Sequence, residues 1–334
     1  MFNFAKKDFN IVKKFPTLIL ISLMIVVCGA IFMLGHGLNL GIDYAGGAKV
    51  EIELAEEIAD KDAFEAHLRE LITDGGYTVV DKMMESPLAE GGITYEFRLA
   101  YEYHGSIVAD DAQDAFITKL NGDFKTTLTE DVEAYLAGLG LEDMFEEDGV
   151  NVAVIGASSS KALLNRTFIA IALALVAILV YIMIRFTVSS GLAAICGLTH
   201  DVLVMVALTA IFQIPVNMTF IAAVITIIGY SINASIVIFD KVRECQNSAA
   251  FAYASDEEIA NYAIKHSMVK ILLSILTTLI MVVALVLFSV STIQEFILPI
   301  IFGLLAGTFS ALCLAPSIWV LFRKLGAKIK SKKA

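Results

Sequence analysis

Side chains able to hold a charge or a proton inside apolar sequence are few in this chain, and they gather in one stretch. His200 and Asp201 interrupt one apolar run; Tyr230, Ser231 and Asn233 interrupt the next; Asp240, Lys241, Arg243 and Glu244 close it. A carboxylate inside a membrane span costs about 2.5–3.5 kcal/mol on insertion scales, so such groups face a bundle interior or a water path. The chemistry open to them is the holding and passing of a proton or small ion. His200-Asp201 has no further His or Cys at ligand spacing, which argues against a metal site. Nothing resembles a Walker loop or a Ser/His/Asp triad, so no catalytic residue, no cofactor and no enzymatic activity is expected.

The elements that must position these groups are membrane helices. A 334-residue chain that is 57% hydrophobic, with a mean hydropathy of +0.76, is too apolar for an ordinary soluble domain. It holds runs of roughly 20 apolar residues, the length that crosses a bilayer as a helix. Six spans are expected near residues 16–35, 165–185, 191–212, 217–239, 268–290 and 296–322. The start of the chain is basic and then apolar, but no small-x-small cleavage site follows, so residues 16–35 read as an uncleaved first span. Cys28, Cys196 and Cys313 lie in spans and Cys245 just after one, so no disulfide framework is implied for the polar region.

The net charge of −11 averages two opposite surfaces. Acids crowd into residues 43 to 148, whereas Lys and Arg cluster at residues 1–15, at Arg185, at Lys241, Arg243 and Lys265, and in a tail at 323–334. The positive-inside rule puts those basic segments in the cytoplasm and residues 36–164 outside a cytoplasmic membrane. The acidic outer face is read as solvation, with docking of a basic partner as the sharper alternative. No nucleic-acid partner is expected.

The outer region has its own pattern. Val50, Ile52 and Leu54 alternate with charged residues, as do Ile93, Tyr95, Phe97 and Leu99, which is the period of half-buried strands. Ala63 to Ile72 and Ala112 to Leu120 show helical spacing, Tyr77 to Met83 reads as a strand, and Gly149 to Ile155 as a last strand. The order β-α-β-β-α-β predicts a small α+β ferredoxin-like domain, with Thr126 to Leu139 as an extra helix. In span three Gly191, Ala194, Gly197 and Asp201 share one face, and in span four Thr226, Gly229 and Asn233 do; small residues there allow close helix approach. Gly303, Gly307 and Ala311 form a similar ridge in span six.

The motifs together resemble a known family. Gly41-Ile42-Asp43-Tyr44-Ala45-Gly46-Gly47 is similar to the GxDFxGG signature of the SecD/SecF proteins. Tyr181 through Arg185-Phe186, then His200-Asp201, then Gly229-Tyr230-Ser231-Ile232-Asn233, then Phe239-Asp240-Lys241-Val242-Arg243-Glu244 resemble the SecF pattern YxxxRF, His-Asp, GYSxND and [FS]DRxRE in order and spacing. The resemblance implies a six-span half of an RND-type unit. It implies pairing with a SecD-like subunit and association with the SecYEG channel, with SecA and YidC/YajC-type proteins nearby. Unfolded exported polypeptide is the implied substrate and a proton or sodium gradient the implied drive. A paralogous RND-like exporter of lipids or small molecules is the alternative.

The sequence departs from that pattern where it matters. The family's Asp in GYSxND, taken to carry the proton, is Ala234 here, and the Arg of span five that pairs with it is Lys270. Lysine keeps the charge but loses the fork that grips a carboxylate. Ile155-Gly156-Ala157 stands where the family has VGP. Three possibilities follow: a proton path through the partner's own intramembrane Asp with Asp201, Asn233 and Lys270 in support; a scaffold without ion coupling; or the exporter. Structural alternatives stand beside each residue: a local hydrogen bond for Asp201, snorkelling for Lys270, interhelical glue for Asn233, and a cytoplasmic salt-bridge cluster for Asp240 to Glu244. Gly46-Gly47 reads as backbone freedom between membrane and strand.

Overall fold

A computed structural model describes residues 10–45, 47–75, 77–79, 84–87, 92–100, 118–155, 157–288 and 291–333. Six helices in it are long and apolar enough to cross a membrane. They are α1 (Phe15–His36), α5 (Ala157–Arg185), α6 (Val188–Ile211), α7 (Met218–Gln246), α8 (Asp256–Phe288), and a last span built of α9 (Ser291–Phe309) and α10 (Ala315–Lys333) joined by a π turn at Ser310–Leu314. Between α1 and α5 lie the short α2 (Ile42–Ala45), the strands β1 (Gly47–Leu54), β2 (Thr78–Val79), β3 (Met84–Pro87), β4 (Ile93–Ala100) and β5 (Phe145–Ile155), and the helices α3 (Lys61–Asp74) and α4 (Lys125–Leu139).

The outer sheet runs β2-β4-β1-β5, antiparallel throughout, with β3 also paired to β4. This is the strand order of a split βαβ unit, the ferredoxin-like arrangement that the period-2 and helical patterns predict. Val50 faces Phe97 and Ile52 faces Tyr95 across the β1–β4 ladder. These side chains meet Phe64, Leu68 and Ile72 of α3 and Leu128, Val132 and Leu136 of α4 in one core. Asp60 caps α3 by accepting from Ala63 N–H, and α4 ends at Gly140, whose φ of 72° only glycine adopts freely. The expected extra helix at Thr126 to Leu139 is instead the second crossover helix of the unit. It continues from residue 118 through a π turn at Leu120–Phe124, and its Leu128, Val132 and Leu136 stripe covers the sheet. Residues 112–117 of the helix expected there, and 80–83 of the expected strand, lie outside the described residues.

The bundle divides into a packed centre and an exposed periphery. Half of the apolar window of α6, 44% of that of α7 and 61% of that of the last span are buried, against 11%, 6% and 17% for α1, α5 and α8. The small-residue stripes account for the centre. Gly191, Ala194, Gly197 and Asp201 are all buried on α6. Side chains at Gly303 and Gly307 would strike Ile227 and press on Ser231 of α7, which lets those two helices approach closely. α1 lies against α6 where Gly29 meets Ala207; a Cβ at Gly29 would sit 2.3 Å from that of Ala207. Thr226, Gly229 and Asn233 are exposed within this chain, so their stripe packs against nothing described here.

Candidate functional site

The residues singled out by sequence divide between two places. Successive helical residues turn by about 100°, so Ser231 and Asn233 point to nearly opposite sides of α7. On one side Asp201 of α6 is fully buried. Its Oδ1 accepts from His200 Nδ1 at 2.9 Å, and its Oδ2 accepts from Ser310 Oγ at 2.8 Å and from Ser231 Oγ. His200 Nε2 in turn bonds Ser22 Oγ of α1. Four helical elements thus converge on one carboxylate. Ser310 opens the π turn, a departure from α geometry that lets the last span present its hydroxyl to Asp201.

Ser22, His200 and Asp201 stand in the hydrogen-bond order of a hydrolase relay, a juxtaposition that the sequence separates by 178 residues. A nucleophile needs a substrate beside it, and Ser22 is only 3% exposed inside the bundle. What the line can do is hold a proton.

On the other side of α7, Tyr230, Asn233, Ala234, Lys270 and Ser274 line a cavity of about 200 Å³ that opens on the surface between α7 and α8. Tyr230 Oη bridges the helices, donating to Ser274 O at 3.2 Å and lying 3.1 Å from Thr278 Oγ1. Lys270 and Asn233 are exposed, and neither makes a hydrogen bond or ion pair among the described residues. Ala234 and Lys270 share this cavity, as the motif register implies; His200 and Asp201 do not reach it.

The motif residues turn out to hold joints. Asp43 accepts from Met218 N–H at 2.8 Å and so caps α7 together with Asn217, while Gly41 N–H donates to Val216 O at 2.9 Å. A Cβ on Gly41 would lie 2.9 Å from that of Asn217, and Gly47 has φ 140°, so glycine is required at both ends of this link. Gly46 lies outside the described residues. At the opposite end Arg185 pairs with Asp240 at 3.1 Å, Phe186 meets Phe239 edge-on, and Glu244 pairs with Lys241, leaving Arg243 exposed. Gly229 borders open space.

Sequence reasoning missed a third cluster. Arg98 of β4 grips Glu295 of α9 through two contacts at 2.8 and 3.0 Å, and Asn217 Nδ2 donates to the same carboxylate at 2.8 Å. Glu96, also buried, lies 3.7 Å from Arg98 and 2.9 Å from Lys49. The polar face of the sheet is therefore not all solvated: at Glu96 and Arg98 it sits on the bundle. The available signal was an acid at the very edge of an apolar run, Glu295, which the expected span starting at 296 left outside.

Six membrane helices with a split βαβ domain inserted after the first, and polar groups on the central helices, define a class of multi-span membrane subunits. The family "Protein export membrane protein SecD/SecF, C-terminal" matches residues 140–325, and the SecD/SecF GG motif matches residues 31–57. The chain belongs to the SecD/SecF family. It is 29% identical over 332 residues to the protein translocase subunit SecDF of Bacillus subtilis, covering 99% of this chain and 40% of that protein. It is also 29% identical to the protein translocase subunit SecF of Cereibacter sphaeroides, covering 89% of this chain and 84% of that one. The crystal structure of SecDF, a translocon-associated membrane protein from Thermus thermophilus, shares the fold with a TM-score of 0.71 at 21% identity, over 97% of this chain and 40% of that one. The chain thus spans under half the length of the SecDF proteins and most of the length of SecF.

Proposed function

We propose that this chain is a SecF-like accessory subunit of the Sec protein translocase, which pairs with a SecD-like subunit to assist export of unfolded polypeptide across the cytoplasmic membrane. The observation that carries this reading is the open cavity at Tyr230, Asn233, Ala234 and Lys270. A lysine and an amide on the outward face of two membrane helices are costly against lipid and call for a polar partner helix. A chain that covers 40% of the SecDF protein lacks the other half in which such a helix would lie. In the complex, a carboxylate from the partner occupies the space beside Lys270 that Ala234 leaves, so the ion-motive force is coupled across the interface rather than within this subunit alone.

In this arrangement both termini are cytoplasmic and residues 36–164 face outward, where the ferredoxin-like domain meets polypeptide leaving the SecYEG channel. SecA and YidC/YajC-type proteins are the further neighbours. Site-specific photocrosslinking from position 233 or 274 in native membranes tests the reading. Capture of a SecD-like chain is expected; crosslinks only to lipid or to a second copy of this chain would overturn it and favour a stand-alone exporter of lipids or small molecules.

A further inference from the structure

We propose that Ser22, His200 and Asp201 form a single-proton site within this subunit, with α1 as the element whose seating the proton controls. The proposal deepens the reading of a polar membrane site above, but it does not depend on which partner the chain assembles with.

The charge count is the starting point. Asp201 is fully buried and receives His200 Nδ1, Ser231 and Ser310. Facing the pair are Ser22 from α1, Ser231 from α7, and Ser310 with the Phe309 ring from the last span. No lysine or arginine is in printed contact with it among the described residues. The ionisable groups on the packed elements point elsewhere or lie far along them. Tyr230 turns to α8, and Cys196 is exposed on α6. Asp240 is held by Arg185 roughly 14 Å along α7, and Glu295 by Arg98 at the far end of α9. Cys28 and His36 lie roughly 9 and 21 Å along α1, and Cys313 sits in the π turn of the last span.

With one proton on the imidazole, His200 and Asp201 form a neutral pair, and Nε2–H donates to Ser22 Oγ. Without it, Nδ1–H still donates to Asp201, Nε2 accepts from the Ser22 hydroxyl, and the cluster carries one uncompensated negative charge. Both states keep every hydrogen bond, since a serine hydroxyl can rotate between donor and acceptor. They differ in net charge, and a net charge inside a bundle is tolerated only where water or a counter-charge reaches it. His200 keeps 15% side-chain exposure whereas Asp201 has none, so the proton enters and leaves by way of the imidazole.

The surface that must part to hydrate the charged state is the α1–α6 contact. Ser22 is the group on α1 that bonds His200, and Gly29 against Ala207 is the close approach next to it. α1 leads through Gly41 and Asp43, both bonded at the start of α7, directly into β1 of the outer domain. Loss of the proton therefore loosens α1, and α1 carries that change outward.

The test uses the full chain in lipid nanodiscs. Proton uptake on moving from about pH 9 to about pH 5, the range in which histidine changes charge, should exceed that of His200→Asn and of His200→Gln by about one proton per chain. In a cysteine-free background, spin labels at positions 20 and 203 should report an α1–α6 distance that grows at the alkaline end in the wild type and is independent of pH in Ser22→Ala. Equal uptake in wild type and both His200 variants would overturn the proton site. A distance that ignores pH in the wild type, or that follows sodium at constant pH, would overturn the coupling. Failure of either leaves the partner crosslinks from position 233 unaffected, so the two readings fail separately.

Discussion

Around Asp201 every polar atom finds its partner within this chain, whereas on the far side of the same helix Asn233 and Lys270 find none among the described residues. The difference follows from what covers each face. Ser231 looks into the packed centre, where glycines at 303 and 307 let the last span close over it; Asn233 looks out past Gly229 into open space. A polar group in a membrane must be satisfied, so the enclosed cluster reports on this subunit's own mechanics and the open cavity reports on an absent neighbour. The two need not share a mechanism even though the motif GYSxNA runs through both.

Substitutions can break that contrast. Asp201→Ala should be the most damaging, because it leaves His200, Ser231 and Ser310 turned toward an empty site; removing one member of a buried pair costs about 3–5 kcal/mol. Detergent-induced unfolding of the isolated chain would show it. Lys270→Met should leave that unfolding within about 0.5 kcal/mol of wild type, yet weaken association with the partner by about 2–5 kcal/mol if a carboxylate docks there. Titrating purified partner against the reconstituted chain separates the two numbers. Glu295→Ala removes the charged acceptor shared by Arg98 and Asn217 and should destabilise the seat of the outer domain by about 1.5–3 kcal/mol, read as faster proteolysis of residues 47–155 with the bundle intact.

The smallest effect concerns pH at the outer sheet. Burial pulls the Lys49 ammonium down, but hydrogen bonds and charge from Glu51 and Glu96 outweigh it and leave it above the ordinary lysine value. A raised folded value means that its contribution is complete below the unfolded value, about 10.4, and is lost as pH rises through the folded one. Tyrosine circular dichroism of the sheet should therefore weaken only at strongly alkaline pH, and Lys49→Met should remove that dependence.

Much of this architecture is legible from residue order, for identifiable reasons. Helix and strand periodicities are local, so the six spans and the strands at 47–54 and 93–100 follow from which positions are apolar. The glycine stripe on α6 announced that Asp201 sits on a packed face. The stripe on α7 did not announce its opposite, because small residues favour close approach without saying whether the neighbour belongs to the same chain. The extra helix was a misassignment of the second crossover helix, since the stripe 128, 132, 136 could not reveal which sheet face it covers.

What the sequence by itself determined is the inventory: apolar length enough for six spans, a period-2 domain between the first two, and an alanine where the resemblance leads one to expect a carboxylate. Only the tertiary structure decided the groupings. Ser22 with His200, Arg98 with Glu295 and Asp43 with the start of α7 are separated by 178, 197 and 175 residues. Contacts at such separation are set by which helix faces close on one another, a property of the packed whole that no local periodicity encodes.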